Sequence, residues 1–120
     1  MPLAAPTRWQ PPAPPCPAAG TDTGLPHLSI KDDSLNPTGS LKDRASAVAL
    51  ARAAGIGAKH VAVASTGNAG SSLAGLAAAM GILAVIFVPA SAPRAKLVQR
   101  LTYGAEVFAV QGSYDDTFEL

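Results

Sequence analysis

Val61-Ala62-Val63-Ala64 runs directly into Ser65-Thr66-Gly67-Asn68-Ala69-Gly70, and a second apolar run, Leu83-Ala84-Val85-Ile86-Phe87-Val88, follows a helical stretch. The first four residues read as a short buried strand. Ser71, Leu73, Leu76, Ala79 and Met80 then recur at helical spacing. The second run is continuous, as expected of a parallel strand covered on both faces, and Pro89 stops it. The alternation extends outward in both directions. Upstream, His27-Leu28-Ser29-Ile30-Lys31 alternates as a half-buried strand, and an alanine-rich helix is predicted from Leu41 to Ala54, closed by Gly55 and Gly57. Downstream, Ala92 to Tyr103 reads as a helix with Leu97, Val98 and Leu101 on one stripe. Glu106 to Val110 follows as a strand, and Ser113 with Asp116 opens a last helix. Strands alternating with helices and no hairpin signals give an α/β class: a partial parallel sheet with right-handed crossovers.

The passage from Ala64 to Asn68 is also a chemical device. Backbone N–H groups and the dipole at a helix N-terminus converge on a negative group. No Gly-Lys-Ser/Thr closes the loop, so it is not a P-loop, and Gly67 and Gly70 lack the preceding partner of a Gly-x-Gly-x-x-Gly turn. Taken alone, it reads as an ordinary connection in which Thr66 or Asn68 caps the helix.

A second chemical feature lies upstream in Asn36-Pro37-Thr38-Gly39-Ser40-Leu41-Lys42-Asp43-Arg44. Ser40 with Asp43 three residues on is a weaker relative of the Ser-x-x-Glu capping box, which places Lys42 in the first helical turn. The partial positive charge there disfavours an ammonium and favours the neutral amine that attacks a carbonyl. Lys42 is thus a candidate Schiff-base lysine. The alternative is an exposed polar turn with a solvated lysine.

The wider stretch from Lys31 to Ser46 resembles the cofactor-lysine segment of pyridoxal-phosphate enzymes of the tryptophan synthase β type (fold type II), and within that group the threonine synthases. Those enzymes carry an acidic pair, then Asn-Pro-Thr-Gly-Ser, an aromatic residue and Lys-Asp-Arg; here Leu41 stands where Phe is usual. Ser65-Thr66-Gly67-Asn68 is similar to the same family's substrate loop. The stretches Lys96 to Val110 and Tyr114-Asp115-Asp116 resemble its small mobile domain, so the likeness spans about Leu25 to Leu120. The resemblance implies pyridoxal 5'-phosphate held on Lys42. It places Asn68 against the phenolic oxygen of the ring, and Ser65, Thr66, Gly67 and Ala69 around the substrate carboxylate. The implied reaction converts O-phospho-L-homoserine and water into L-threonine and phosphate; threonine/serine dehydratase and cysteine synthase activities are the alternatives. The family's glycine-rich phosphate loop and the Ser or Thr opposite the pyridine nitrogen have no match here. A non-catalytic N-terminal fragment is therefore a reading of another class.

Composition bounds the rest. A chain of 120 residues allows one domain, and a net charge of +1 without a basic stripe gives no footprint for nucleic acid. The partner expected is a small-molecule amino acid; monomer and homodimer both stay open. Residues 1–24 hold seven prolines without apolar periodicity and read as a disordered segment, with the catalytic piece at 25–120. Cys16 within it reads as an accidental free thiol. Leu83 to Val88 is too short to span a bilayer, and the small-residue helix before it reads as broken by Gly75 and Gly81. With no secretory leader, a cytoplasmic setting is expected. His27 and His60 lack partners at ligand spacing, so no metal is expected. Arg94, Lys96 and Arg100 read as a solvated face, and Asp43 and Arg44 as partners of neighbouring loops with no catalytic role. A nucleotide-binding α/β module fits the alternation but lacks a phosphate fingerprint.

Overall fold

The computed structural model describes residues 22–25, 27–28 and 31–119, leaving the side chains of Ala95 and Lys96 aside. A 3-10 turn at Asp33–Leu35 precedes α1 (Lys42–Gly55), β1 (His60–Ala64), α2 (Asn68–Met80), β2 (Leu83–Pro89), α3 (Arg94–Thr102), β3 (Glu106–Val110) and α4 (Tyr114–Phe118). The three strands pair in parallel in the order β1-β2-β3, with His60 opposite Leu83 and Val85 opposite Glu106. Parallel neighbours require crossovers, which α2 and α3 supply. The α/β reading of the sequence is what the chain adopts.

β2 runs through the middle of this sheet, and its two faces differ. Ala84, Ile86 and Val88 are buried against Leu50 of α1 and Leu73, Leu76 and Ala77 of α2, while Leu83, Val85 and Phe87 are half-buried. Burying each large aliphatic side chain such as Ile86 or Leu50 contributes roughly 1.5–3 kcal/mol. On the other face Phe87 stacks on Phe108 with ring centroids 5.7 Å apart, and Phe108 stays 50% exposed. The expectation of cover on both faces is met on the helical face and only in part on the other.

Helix ends follow their glycines. α2 stops at Gly81 in the left-handed region (φ +66°), with Ile82 N–H donating to the Ala77 carbonyl at 3.0 Å. α1 continues one residue past its expected end, through Gly55; the left-handed position is Gly57 (φ +72°), and Ala58 N–H donates to the Ala53 carbonyl at 2.9 Å. Ser113 and Asp116 form the expected capping box: Ser113 Oγ accepts from Asp116 N–H and Asp116 Oδ2 from Ser113 N–H.

Three readings need correction. Gly75 does not break α2, which is continuous from Asn68 to Met80. A Cβ at Gly75 would lie 2.7 Å from Thr38 Cγ2 and 3.3 Å from Tyr103 Cε2, so this glycine is a contact where neighbouring segments press on the helix. In α3 the stripe of Val98 and Leu101 faces water, at 60% and 57% exposure, while Arg100 is buried at 1%. The helix is turned so that Leu97 and Arg100 face inward, because the arginine finds a backbone acceptor inside. Finally, His27, Leu28 and Lys31 lie outside any strand, Ser29 and Ile30 of that reading lie outside the described residues, and so does residues 1–21 of the Pro-rich segment.

The two glycines of α1 and α2 should respond oppositely to a methyl group. Gly75→Ala forces the Thr38 turn or Tyr103 to move and should lower unfolding free energy by about 1–3 kcal/mol. Gly55→Ala meets nothing within 4 Å and should raise it by about 0.4–1 kcal/mol. Urea unfolding of both variants checks the contrast; equal effects would contradict the packing described.

Candidate active site

The lysine turn is tied down by its own polar residues. Asn36 Nδ2 donates to the Ser40 carbonyl at 2.9 Å, and Gly39, at φ +70°, donates its N–H to the Asn36 carbonyl at 2.8 Å. Asp43 is fully buried, and its carboxylate accepts from Thr38 N–H at 2.7 Å and from the Thr38 hydroxyl. The expected Ser40–Asp43 capping box is therefore replaced. Ser40 Oγ accepts from Lys42 N–H at 3.1 Å, and Asp43 reaches back to the turn instead of to the Ser40 N–H. The result leaves Lys42 as the first residue of α1, with an exposed side chain. Among the described residues no ion pair engages its ammonium.

The acidic pair upstream has a structural task. Asp32 Oδ1 accepts from Ser34 N–H at 2.9 Å and caps the 3-10 turn; these Ser34 hydrogen bonds hold its carboxyl below the ordinary range. Asp33 Oδ1 lies 2.6 Å from Arg44 Nη2, a charge-assisted bond that likewise holds the Asp33 carboxyl down. Asp43 and Arg44 thus bind neighbouring loop segments, as expected of them.

The second loop is built around Ser65. Ser65 is buried; its N–H donates to the Phe87 carbonyl, and its Oγ accepts from Gly67 N–H and Gly70 N–H, both at 3.2 Å. The N–H groups of Thr66, Asn68 and Ala69 have no protein acceptor among the described residues. Such groups at the first turn of a 13-residue helix seek a negative partner. Asn68 is exposed, while Thr66, Gly67 and Ala69 are half-buried. Beneath the loop Arg100 Nη2 donates to the Gly67 carbonyl at 2.9 Å. Burial pulls the pKa of this guanidinium below its ordinary value, and it remains a cation at neutral pH. From the other side, Tyr114 Oη donates to the Ala64 carbonyl at 3.3 Å.

The two loops are joined through their helices. Ser72 Oγ donates to Ser46 Oγ at 2.8 Å in a buried contact. Ser46 lies one turn into α1 from Lys42, and Ser72 one turn into α2 from Asn68. An exposed lysine, an exposed amide and three open N–H groups therefore stand at or just before the starts of adjoining helices.

The chain can now be set beside known proteins. A family model described as pyridoxal-phosphate dependent enzyme matches residues 5–120. The chain belongs to the pyridoxal-phosphate dependent enzymes. The match begins upstream of Leu25, where the likeness read from motifs starts. The chain is 46% identical over 88 residues to a threonine synthase of Synechocystis, covering 72% of this chain and 23% of that protein. It is 38% identical over 100 residues to a threonine synthase of Methanocaldococcus jannaschii, covering 82% of this chain and 25% of that one. The chain thus spans about a quarter of the length of these relatives. The processed form of threonine deaminase isoform 2 from Solanum lycopersicum matches with a TM-score of 0.77 and 20% identity, over 91% of this chain and 30% of that one, a likeness of fold.

The family's cofactor is pyridoxal 5'-phosphate, and the residues present fit part of it. Lys42, which no ion pair engages among the described residues, suits an aldehyde carbon, and the N–H groups of Thr66, Asn68 and Ala69 suit anionic oxygens. Sequence reasoning missed the buried Arg100. Its signal was Gly70, where a Cβ would lie 2.9 Å from Arg100 Nε.

The Asp33–Arg44 pair gives a pH test. Because the folded carboxyl is held down, the pair's contribution is complete above the unfolded carboxylate value of about 3.9 and is lost as pH falls through the lower folded value. In Arg44→Gln the Asp33 titration midpoint, read from its carboxyl NMR shift, should move upward, and the share of acid-side destabilisation that comes from Asp33 should shrink. An unchanged midpoint would contradict the assignment.

Proposed function

We propose that this chain carries the lysine and substrate-carboxylate part of a pyridoxal-phosphate enzyme of the threonine synthase type. The observation that carries this reading is the placement of exposed Lys42 and the open N–H groups of Thr66, Asn68 and Ala69 at the starts of two helices joined through Ser46 and Ser72. Identities of 38–46% to threonine synthases support it.

Bound there, pyridoxal phosphate supplies an electron sink for charge developing at the substrate's Cα. Lys42 Nζ anchors the cofactor and, as a free amine, takes and returns protons at the substrate's Cα and Cβ. The Asn68 side-chain amide orients the ring through its phenolic oxygen. The carboxylate set of Ser65, Thr66, Gly67 and Ala69 divides in two. Thr66 and Ala69 present open N–H groups, while Ser65 and Gly67 hold the loop in shape through the Ser65 Oγ bond. The Asp43–Thr38 tie fixes the turn that delivers Lys42.

For the whole protein the proposed reaction is O-phospho-L-homoserine and water to L-threonine and phosphate. A threonine/serine dehydratase or a cysteine synthase of the same family is the second reading. The 120 residues alone are proposed to bind the cofactor weakly and turn over nothing, in line with their quarter share of the relatives' length. Neither the cofactor-phosphate loop nor the group facing the pyridine nitrogen is matched in them.

Adding pyridoxal phosphate to the chain should give a weak visible absorbance that Lys42→Ala abolishes, with no phosphate released from O-phospho-L-homoserine. Measurable turnover by the chain would refute the fragment proposal. In a protein that includes the remaining length of the relatives, phosphate and threonine should form together; ammonia and 2-oxobutyrate from threonine would select the dehydratase instead.

A further inference from the structure

Arg100 is a charged residue at 1% exposure on a helix that shares no segment with either loop of the site. Its guanidinium passes under the start of α2, where a Cβ at Gly70 would lie 2.9 Å from Arg100 Nε. The missing side chain at Gly70 is what admits the guanidinium. From there Nη2 donates to the Gly67 carbonyl at 2.9 Å.

That bond fixes more than a carbonyl. The Gly67–Asn68 peptide is trans, so its carbonyl and its N–H point in opposite directions. The Gly70 and Ser71 N–H groups also donate to this carbonyl, at 3.1 and 3.4 Å, and Arg100 adds a shorter, charged donor; together they hold the Gly67 oxygen inward and turn the Asn68 N–H outward, toward the exposed side on which Asn68 stands. The opposite flank of the same residue is held as well, since Gly67 N–H donates to Ser65 Oγ. The loop is therefore clamped at Gly67 from both sides. A cation within hydrogen-bond distance of this peptide also polarises it and adds positive potential beneath the open N–H groups, in a setting screened from water.

We infer that Arg100 is a positioning residue for the Ser65–Ala69 loop, setting the Asn68 N–H toward a bound carboxylate and strengthening the loop's affinity for that anion. The inference rests on the reading of this loop as the substrate-carboxylate site. It assigns Arg100 no contact with substrate or cofactor; the residue acts through the Gly67–Asn68 peptide.

Acetate serves as the carboxylate probe, and amide NMR of the 120-residue chain reports on each loop N–H. In the parent chain, acetate should shift the Thr66, Asn68 and Ala69 amide resonances saturably. Arg100→Met, with circular dichroism confirming retained structure, should weaken that binding about tenfold and reduce the Asn68 shift most; Arg100→Lys should recover part of it. Equal acetate affinity in the parent chain and Arg100→Met, even with a lowered melting temperature, would overturn the inference and leave the loop reading intact. No acetate response at the three amides of the parent chain would overturn the loop reading, and the inference with it. Should Arg100→Met fail to fold, the parent chain decides. Its Arg100 Nη–H protons should exchange much more slowly than those of exposed Arg52 and should shift on adding acetate. Exchange as fast as that of Arg52 would overturn the inference.

Discussion

The close approach of α2 to its neighbours is the constraint on which the rest of this structure depends. Ser72 meets Ser46 of α1 oxygen to oxygen at 2.8 Å, and Gly75 leaves room for the Thr38 methyl and the Tyr103 ring. Larger side chains at these points would drive apart the lysine turn and the Ser65 loop, which come from separate parts of the chain. The apolar core, with Leu50, Leu73, Ile86 and Val88, supplies the driving force for this packing. The small residues decide its distance.

Two buried charges then shape the site, one on each side. Asp43 takes the N–H and hydroxyl of Thr38 and folds the Pro37–Gly39 turn onto α1; Arg100 takes the Gly67 carbonyl and fixes the loop ahead of α2. Each is costly to bury unless its polar atoms are engaged, so each binds its loop with more force than a neutral residue would. Lys42 and Asn68, by contrast, are exposed. This chain buries the charged side chains that order its loops and leaves Lys42 and Asn68 at the surface.

Much of this was legible in the sequence, for identifiable reasons. The β1-loop-α2-β2 unit showed itself through runs of Val, Ala and Ile broken by Gly67 and Gly81, and the Ser113–Asp116 box is a purely local signal. The α3 face was not legible. Hydrophobic periodicity assumes that charges face water, and one arginine with an internal carbonyl acceptor turns the helix the other way. The partner of Asp43 was hidden for a related reason: a local capping rule pointed to Ser40, while the turn offered two donors on Thr38. Gly75 reads as a helix breaker in sequence because only the fold reveals which neighbours press on it.

The central claim is that the helix contact makes the lysine turn and the anion loop one site with Lys42 as its reactive amine. Incubating the chain with pyridoxal phosphate, reducing with borohydride and mapping the label by peptide mass analysis tests this directly, since the chain holds four lysines: Lys31, Lys42, Lys59 and Lys96. The account predicts label concentrated on Lys42 and diminished when acetate competes for the adjoining loop. Label spread evenly over the four lysines, indifferent to acetate, would contradict it.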